Sequence, residues 1–348
     1  MTTINYLLTL FAEKPRHYRV IEGILRGRRT VAILFWGQQY GILDWLRAAP
    51  HLTREHFDQQ LKTYAKQGLL VVDAQQATAK LSQQGRAKVR DFKRQHYWPH
   101  YGRWSWTGDN PLLPLRLWLG VQAVSQLAHH HYRYVPITNS PSELGVVHAW
   151  LKQPLEQLCH GVYQEVFNWG NELARTDMRL ATLLVYQLPG FGQIGWTDQD
   201  ALQRLEVLPM ELPVMQRDLW AGVGRMILQD DGPLAHLCRS LVPASPLNFT
   251  TSQTLKLFQQ GITVETIAKR RRLKVSTIRE HLLQAAILVP GCVNLQQLLG
   301  EKLIQQLSHQ YAGPVDHWRF QAVSGQDNAA AFFEFRAYQI LKSGEERV

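Results

Sequence analysis

Apolar residues recur at spacings of three and four along most of the chain, so the pattern predicts a mainly helical protein. In the middle, Leu117, Val121 and Val124, then Val147, Leu151 and Leu155, then Leu158, Val162 and Val166, then Leu180, Leu183 and Leu184 form successive helical faces. Pro136, Pro141, Pro189, Pro209 and Pro213 punctuate them, and the pattern predicts a helical bundle. Near the N-terminus the period changes. His17 to Leu25 predicts one helix, and Thr30 caps a second, VAILFWGQ. ILDWLRAA after Gly41 predicts a third, ended by Pro50, and Thr53 caps a longer one carrying Phe57, Leu61 and Tyr64 on one face. Gly68 stops that helix. LLVVD and ATAKLS then predict two short strands, and LSQQGRAKV starts a closing helix. Such a run of helices followed by a two-stranded wing predicts a winged-helix-like domain.

A third pattern fills residues 249–290. Thr251 or Ser252 is expected to cap a helix with Leu255 and Phe258 on its apolar face, and Gly261 ends it. Thr263 caps a second helix, with Val264, Ile267 and Ala268 pointing one way. Leu273 sits in a turn, and Val275 or Ser276 opens a third helix that buries Ile278, Leu282 and Ile287. Two short helices joined by a tight turn make a helix-turn-helix. The expected domains are therefore residues 1–107, winged-helix-like; 108–248, a helical middle; and 249–348, the helix-turn-helix with C-terminal helices.

Charge sharpens this division. Of the net +10, residues 1–107 contribute 17 Lys and Arg against 7 Asp and Glu. Residues 108–248 carry 9 against 13, and residues 249–290 carry 7 against 2. Two basic segments flank an acidic one. Basic side chains beside a groove-entering helix release counterions from phosphates and give affinity for any sequence. The candidate DNA-contacting residues are Lys269, Arg270, Arg271, Arg272 and Lys274 in the run before the third helix, and Ser276, Thr277 and Arg279 on its first turn. In the winged helix they are Arg54, Lys62 and Lys66 on the recognition-type helix and Lys80 in the wing, with Arg26, Arg28 and Arg29 before the second helix. A solvated basic helix end, or a winged helix that docks protein, is the plainer alternative. Residues 88–106 interleave Lys88, Arg90, Lys93, Arg94 and Arg103 with Tyr97, Trp98, Tyr101, Trp104 and Trp106. Those rings either stack unpaired bases or pin the segment onto the next domain.

The stretch FTTSQTLKLFQQGITVETIAKRRRLKVSTIREHLLQA, residues 249–285, resembles the helicase-associated helix-turn-helix domain at the C-termini of some RecQ-type helicases. The same domain ends a family of standalone bacterial proteins, the YpbB-like family, often encoded beside a RecQ-type helicase. PLRLWLGVQAVSQLAHHHYRYVPIT and FFEFRAYQILKSGEERV also look like that family. The resemblance implies a DNA-binding accessory protein that partners a RecQ-type helicase in recombination or repair, and so a cytoplasmic, nucleoid-associated chain.

No catalytic engine is legible. There is no Gly-Lys dipeptide and so no Walker A loop, no HExxH, no CxxC and no G-x-S-x-G. His129, His130 and His131 are adjacent and point in different directions. Asp198 with Asp200, and Asp230 with Asp231, are the acidic pairs a metal-dependent nuclease could use, without a supporting constellation. Neither enzyme activity nor a cofactor is expected. Three scattered cysteines fit a reducing compartment. MTTINYLLTLFAEKPR lacks a basic start and a cleavage site, so no signal peptide is expected, and VAILFW is too short to span a membrane. A transcription regulator would use the same motifs but would need a symmetric dimer. No long heptad seam is present, so a monomer is favoured.

Overall fold

The computed structural model describes residues 5–322 and 328–345. The first four residues of the N-terminal stretch and the last three of the C-terminal one lie outside the described residues. The helices and strands group into two compact units, each built from two separated stretches: Leu10–Gly85 with Ser245–Val348, and Met1–Thr9 with Arg86–Ala244. The later changeover falls within four residues of the boundary read at 248. The first segment divides differently, because residues 10–85 pack with the C-terminal stretch.

In the unit of residues 10–85 and 245–348, β1 (Arg16–His17) leads into α1 (Tyr18–Leu25) and α2 (Val31–Gln39). α3 (Arg54–Lys66) follows, then β2 (Leu70–Asp73) and β3 (Thr78–Leu81). The three strands form an antiparallel sheet in the order β1-β3-β2, with Leu70 opposite Leu81 and Arg16 opposite Ala79. The caps read from sequence are in place: Thr30 accepts from the Ile33 amide and Thr53 from the His56 amide. Gly68 ends α3 at φ +69. The expected third helix before Pro50 is only a 3-10 turn, Leu43–Trp45, because the backbone breaks at Arg47, which adopts φ +64. The two-residue β1 carried no period that sequence reading could detect.

α4 (Gln83–Gln95) crosses into the other unit, which is a helical bundle. It contains α5 (Leu112–Ala128), α6 (Pro141–Trp150), α7 (Leu155–Thr176), α8 (Met178–Gln187), α9 (Asp198–Arg204), α10 (Leu212–Gln229) and α11 (Pro233–Cys238). Pro141, Pro213 and Pro233 each stand in the first turn of their helix, where no amide is lost. The core includes Leu113, Leu117, Leu173, Leu183, Met215 and Ile227.

The aromatic stretch 88–106 is pinned to α10. The buried Asp218 carboxylate accepts from the Tyr97 hydroxyl at 2.5 Å, and from the His100 and Tyr101 amides at 2.7 Å each. Glu211 accepts from the Tyr97 amide at 2.7 Å. Tyr97 and Tyr101 are therefore core residues, which overturns base stacking for those two rings. Lys93 lies over the Trp98 ring at 4.3 Å and Arg103 over Trp104 at 5.6 Å, so these cations cover the unit's own aromatics.

Glu165 on α7 is 4% exposed and accepts from the Leu234 and Ala235 amides at 2.7 and 2.8 Å, at the start of α11. Gly232 makes room for it, since a Cβ there would lie 2.2 Å from the carboxyl carbon. Burial raises this carboxyl from an ordinary 4.5 to about 7, against the pull of the two amides. A folded pKa above the unfolded one means stability is fully present below pH 4.5 and is lost as pH rises through 7. Glu165→Gln is expected to remove that slope, worth at most about 3 kcal/mol. Denaturant titrations of both proteins at pH 5 and pH 8 test it, and an unchanged pH dependence in the variant would refute the assignment.

After Ala244 the chain returns to the first unit. α12 (Phe249–Gln259), α13 (Val264–Arg271) and α14 (Val275–Leu288) are followed by α15 (Leu295–Leu299), α16 (Glu301–Gln310) and α17 (Ala329–Glu345). α14 packs against α2, α12, α13 and α17. A helix-turn-helix of some forty residues has little core of its own. Leu282, Leu283, Ala286 and Ile287 are buried, and the packing of α2 and α17 onto α14 adds to the cover that α12 and α13 provide. Arg336 of α17 is buried over the Phe35 ring of α2 at 4.1 Å, and burial lowers its pKa to about 10. Among the described residues no helix is long and apolar enough to cross a membrane.

Candidate nucleic-acid interface

α12 begins earlier than the sequence suggests. Asn248 is its cap, accepting from the Thr251 amide at 2.8 Å. That moves Thr251 inside the helix, where it is 1% exposed. Gly261 ends the helix at φ +81, and Thr263 caps α13 by accepting from the Thr266 amide. The tight turn is made by Arg272, which takes the left-handed conformation at φ 53 and ψ 42. Ile267, Ala268 and Ile278 close the small core beneath it.

The basic run divides by direction. Lys269, Arg270, Arg272 and Lys274 are exposed. Arg271 is turned inward. Its guanidinium donates to the Thr250 carbonyl at 2.7 Å and the Thr250 hydroxyl at 2.8 Å, and also to the Thr254 hydroxyl. Thr254 is fully buried and its hydroxyl lies 2.8 Å from His281 Nδ1. Burial, then the Arg271 charge, depresses the His281 pKa, so the ring is held neutral. Arg271, Thr254 and His281 thus join α13, α12 and α14 through one polar chain. Sequence could not reveal this, because Arg271 and Thr250 are 21 positions apart with no periodic relation.

α14 is less free than a helix entering a groove along its length. Ile278, His281, Leu282, Leu283, Ala285, Ala286 and Ile287 are all buried, so only its N-terminal half is available. Ser276 and Glu280 are exposed, and Thr277 and Arg279 are half-buried. Arg279 lies over the Phe333 ring of α17 at 5.4 Å, which draws it from the open face. An N-terminal turn facing outward with basic residues beside it is still the part of a recognition helix that meets DNA.

The remaining candidates lie on α3, on β3 and in the loop before α2. Arg54, Lys62 and Lys66 are exposed on α3, sharing a stripe at four-residue steps with Asp58. Arg19 pairs with Asp58 at 2.8 Å and offsets its charge. Lys80 is exposed on β3 opposite Val71. In the loop before α2, Arg26 pairs with Glu22 at 2.9 Å and the Arg29 guanidinium donates to the Pro246 carbonyl, while Arg28 stays exposed. The grouping concentrates charge. Residues 10–85 and 245–348 carry 23 Lys and Arg against 14 Asp and Glu, so +9 of the net +10 lies in this unit.

The acidic pairs of the other unit have structural partners. Thr197 and Asp200 form a capping box on α9. Asp198 accepts from Gln216 at 2.7 Å, Asp230 from the Trp169 indole at 3.0 Å, and Asp231 from Arg239 at 3.0 Å. The His129 ring stacks on Phe191 at 4.6 Å. Among the described residues no group of three His, Cys, Asp or Glu could hold a metal ion. A groove of about 460 Å³ between α7 and α8 is lined by uncharged residues, including Tyr163, Phe167, Met178 and Tyr186.

Two comparisons with known proteins bear on this surface. A helix-turn-helix domain family matches residues 250–338. The chain is similar to Protein YpbB of Bacillus subtilis (strain 168), 22% identical over 274 residues, which cover 77% of this chain and 76% of that protein. No solved structure matches.

Proposed function

We infer that this chain, a YpbB-like protein by its domain match and its relative, is a non-catalytic DNA-binding accessory protein. One observation carries the reading. Four exposed basic side chains, Lys269, Arg270, Arg272 and Lys274, lead directly into the free N-terminal turn of α14. Phosphates passing that turn would meet them, and the exposed Ser276 would face the groove. Thr277 and Arg279, half-covered, are the less available members of the same set. Arg54, Lys62, Lys66 and Lys80 are proposed as a second phosphate contact on the winged helix.

The resemblance of residues 249–285 to the helicase-associated domain points to a RecQ-type helicase as partner, in recombination or repair. The neutral groove between α7 and α8 suits a protein partner better than a nucleic acid, since it offers apolar surface and no cation. Fluorescence anisotropy on duplex, forked and single-stranded DNA across about 50 to 200 mM salt tests the reading. Binding that weakens linearly in log salt is the expected result. Absence of binding to every form would make the helix-turn-helix a protein-docking surface. One sharply preferred sequence bound by a dimer would point instead to a transcription regulator.

A further inference from the structure

Gln284 stands on the same stripe of α14 as Ser276 and Glu280, at successive four-residue steps. Its amide nitrogen donates to the Arg29 carbonyl at 3.0 Å, and its amide oxygen accepts from the Thr251 hydroxyl at 3.2 Å. Two chain-distant segments therefore meet at the far end of the exposed stripe. One is the loop Arg26–Arg29. The other is the first turn of α12. Ser276 and Gln284 are eight residues apart, about 12 Å along the helix.

Both segments are firmly held. The Arg28 amide donates to the Gly23 carbonyl at 2.8 Å, and Gly27 turns the loop at φ +80. Arg26 is paired with Glu22 and Arg29 is engaged with Pro246, so Arg28 is the cation this loop presents to solvent. On the α12 side, Arg29 holds Pro246, Arg271 holds Thr250, and Gln284 holds Thr251. Between these anchors stands Phe249, 78% exposed, the most exposed phenylalanine among the described residues. Its backbone is fixed and its ring is bare. Immediately beyond its neighbour Thr250 lies Arg271, flanked by the exposed Arg270 and Arg272.

We propose that Arg28 and Phe249 extend the helix-turn-helix surface into a composite site for a junction between duplex and unpaired DNA. This rests on the DNA-binding reading above. Arg28 at one end of the stripe and Lys269, Arg270, Arg272 and Lys274 at the other grip phosphates. Phe249 offers a face on which a base can stack. A base inside a duplex has both faces covered by its neighbours and shows only its edges in the grooves. An unpaired base beside the duplex end has a face to give, so the ring selects the junction over continuous duplex. The arrangement combines rings and cations as the sequence suggested for residues 88–106, but at a place where the ring is bare.

The test compares a blunt duplex with the same duplex carrying a single-stranded tail, by anisotropy at fixed salt. Wild type is expected to favour the tailed form by on the order of tenfold, the contribution of one stacked base. Phe249→Ala should lose that preference and leave blunt-duplex binding unchanged, while Phe249→Trp retains it. Arg28→Ala should weaken both forms and flatten the salt slope by about 0.9. Both positions are exposed, and a melting curve for each variant verifies folding. Equal wild-type affinity for the two forms, or an unchanged preference in Phe249→Ala, overturns the junction site. An unchanged salt slope in Arg28→Ala overturns the composite surface. Failure of wild type to bind either DNA overturns the DNA-binding reading itself.

Discussion

Replacing Lys269, Arg270, Arg272 and Lys274 together by alanine is expected to lower affinity for duplex DNA by up to about 10³-fold near 0.1 M salt. The log–log salt slope should flatten by up to about 3.6, which is 0.9 for each of four phosphate contacts. All four side chains are exposed, and none makes a hydrogen bond or ion pair among the described residues. Their removal should therefore leave stability nearly unchanged, as for most surface substitutions. The loss should be similar for every duplex sequence, because phosphates carry no sequence information directly. Leaving Arg271 intact is essential to this design, since its guanidinium is occupied within the fold. A parallel triple substitution of Arg54, Lys62 and Lys66 measures α3 on the same scale. If the quadruple variant keeps its slope, the run does not touch phosphate. If the α3 triple variant alone loses its slope, the DNA surface lies on α3.

Local signals made much of this architecture legible. Threonines at 30, 53 and 263 cap helices because a short hydroxyl side chain reaches back to an orphan amide within three residues. Gly68 and Gly261 end helices at positive φ because a residue without a Cβ takes the left-handed conformation at little cost. What escaped sequence reading depends on distant neighbours. The hydroxyl of Thr251 was free to cap a helix in the chain alone. In the fold, Asn248 takes that role and Thr251 bonds Gln284, 33 positions away. Arg271 and Arg29 look identical to Arg270 and Arg28 in sequence, yet each inward-facing member finds a backbone carbonyl in the segment 246–250. One clue to the packing was present. The third helix carries Ile278, Leu282, Leu283, Ala285, Ala286 and Ile287, more than one apolar face. A helix apolar on several sides is covered on several sides. That breadth calls for further cover, which α2 and α17 supply in the fold, but it does not say which elements would come or that two basic segments would share one unit.

Arg271→Ala is expected to behave differently from its neighbours: it should destabilise the helix-turn-helix by about 1.5–3 kcal/mol, the range for losing hydrogen bonds to a charged group. The guanidinium spans three acceptors on α12, the Thr250 carbonyl, the Thr250 hydroxyl and the fully buried Thr254 hydroxyl. Arg271→Lys should recover only part of the loss, because one ammonium lacks the planar fork that reaches them together. The pH dependence separates this from simple truncation. His281 has its pKa lowered first by burial and then by the Arg271 charge. A folded pKa below the unfolded value, near 6.5, makes stability present above that pH and lost as pH falls below it. Removing Arg271 takes away one of the two causes, so the acid loss should become smaller even as the domain becomes weaker at pH 8. Melting curves from pH 5 to pH 8 for wild type, Arg271→Ala and Arg271→Lys measure both effects. An Arg271→Ala protein that melts like wild type but binds DNA more weakly would mean the side chain leaves α12 to meet phosphate. Lowered stability with a reduced acid loss would instead assign Arg271 to holding α12, α13 and α14 in register, so that its exposed neighbours are presented together.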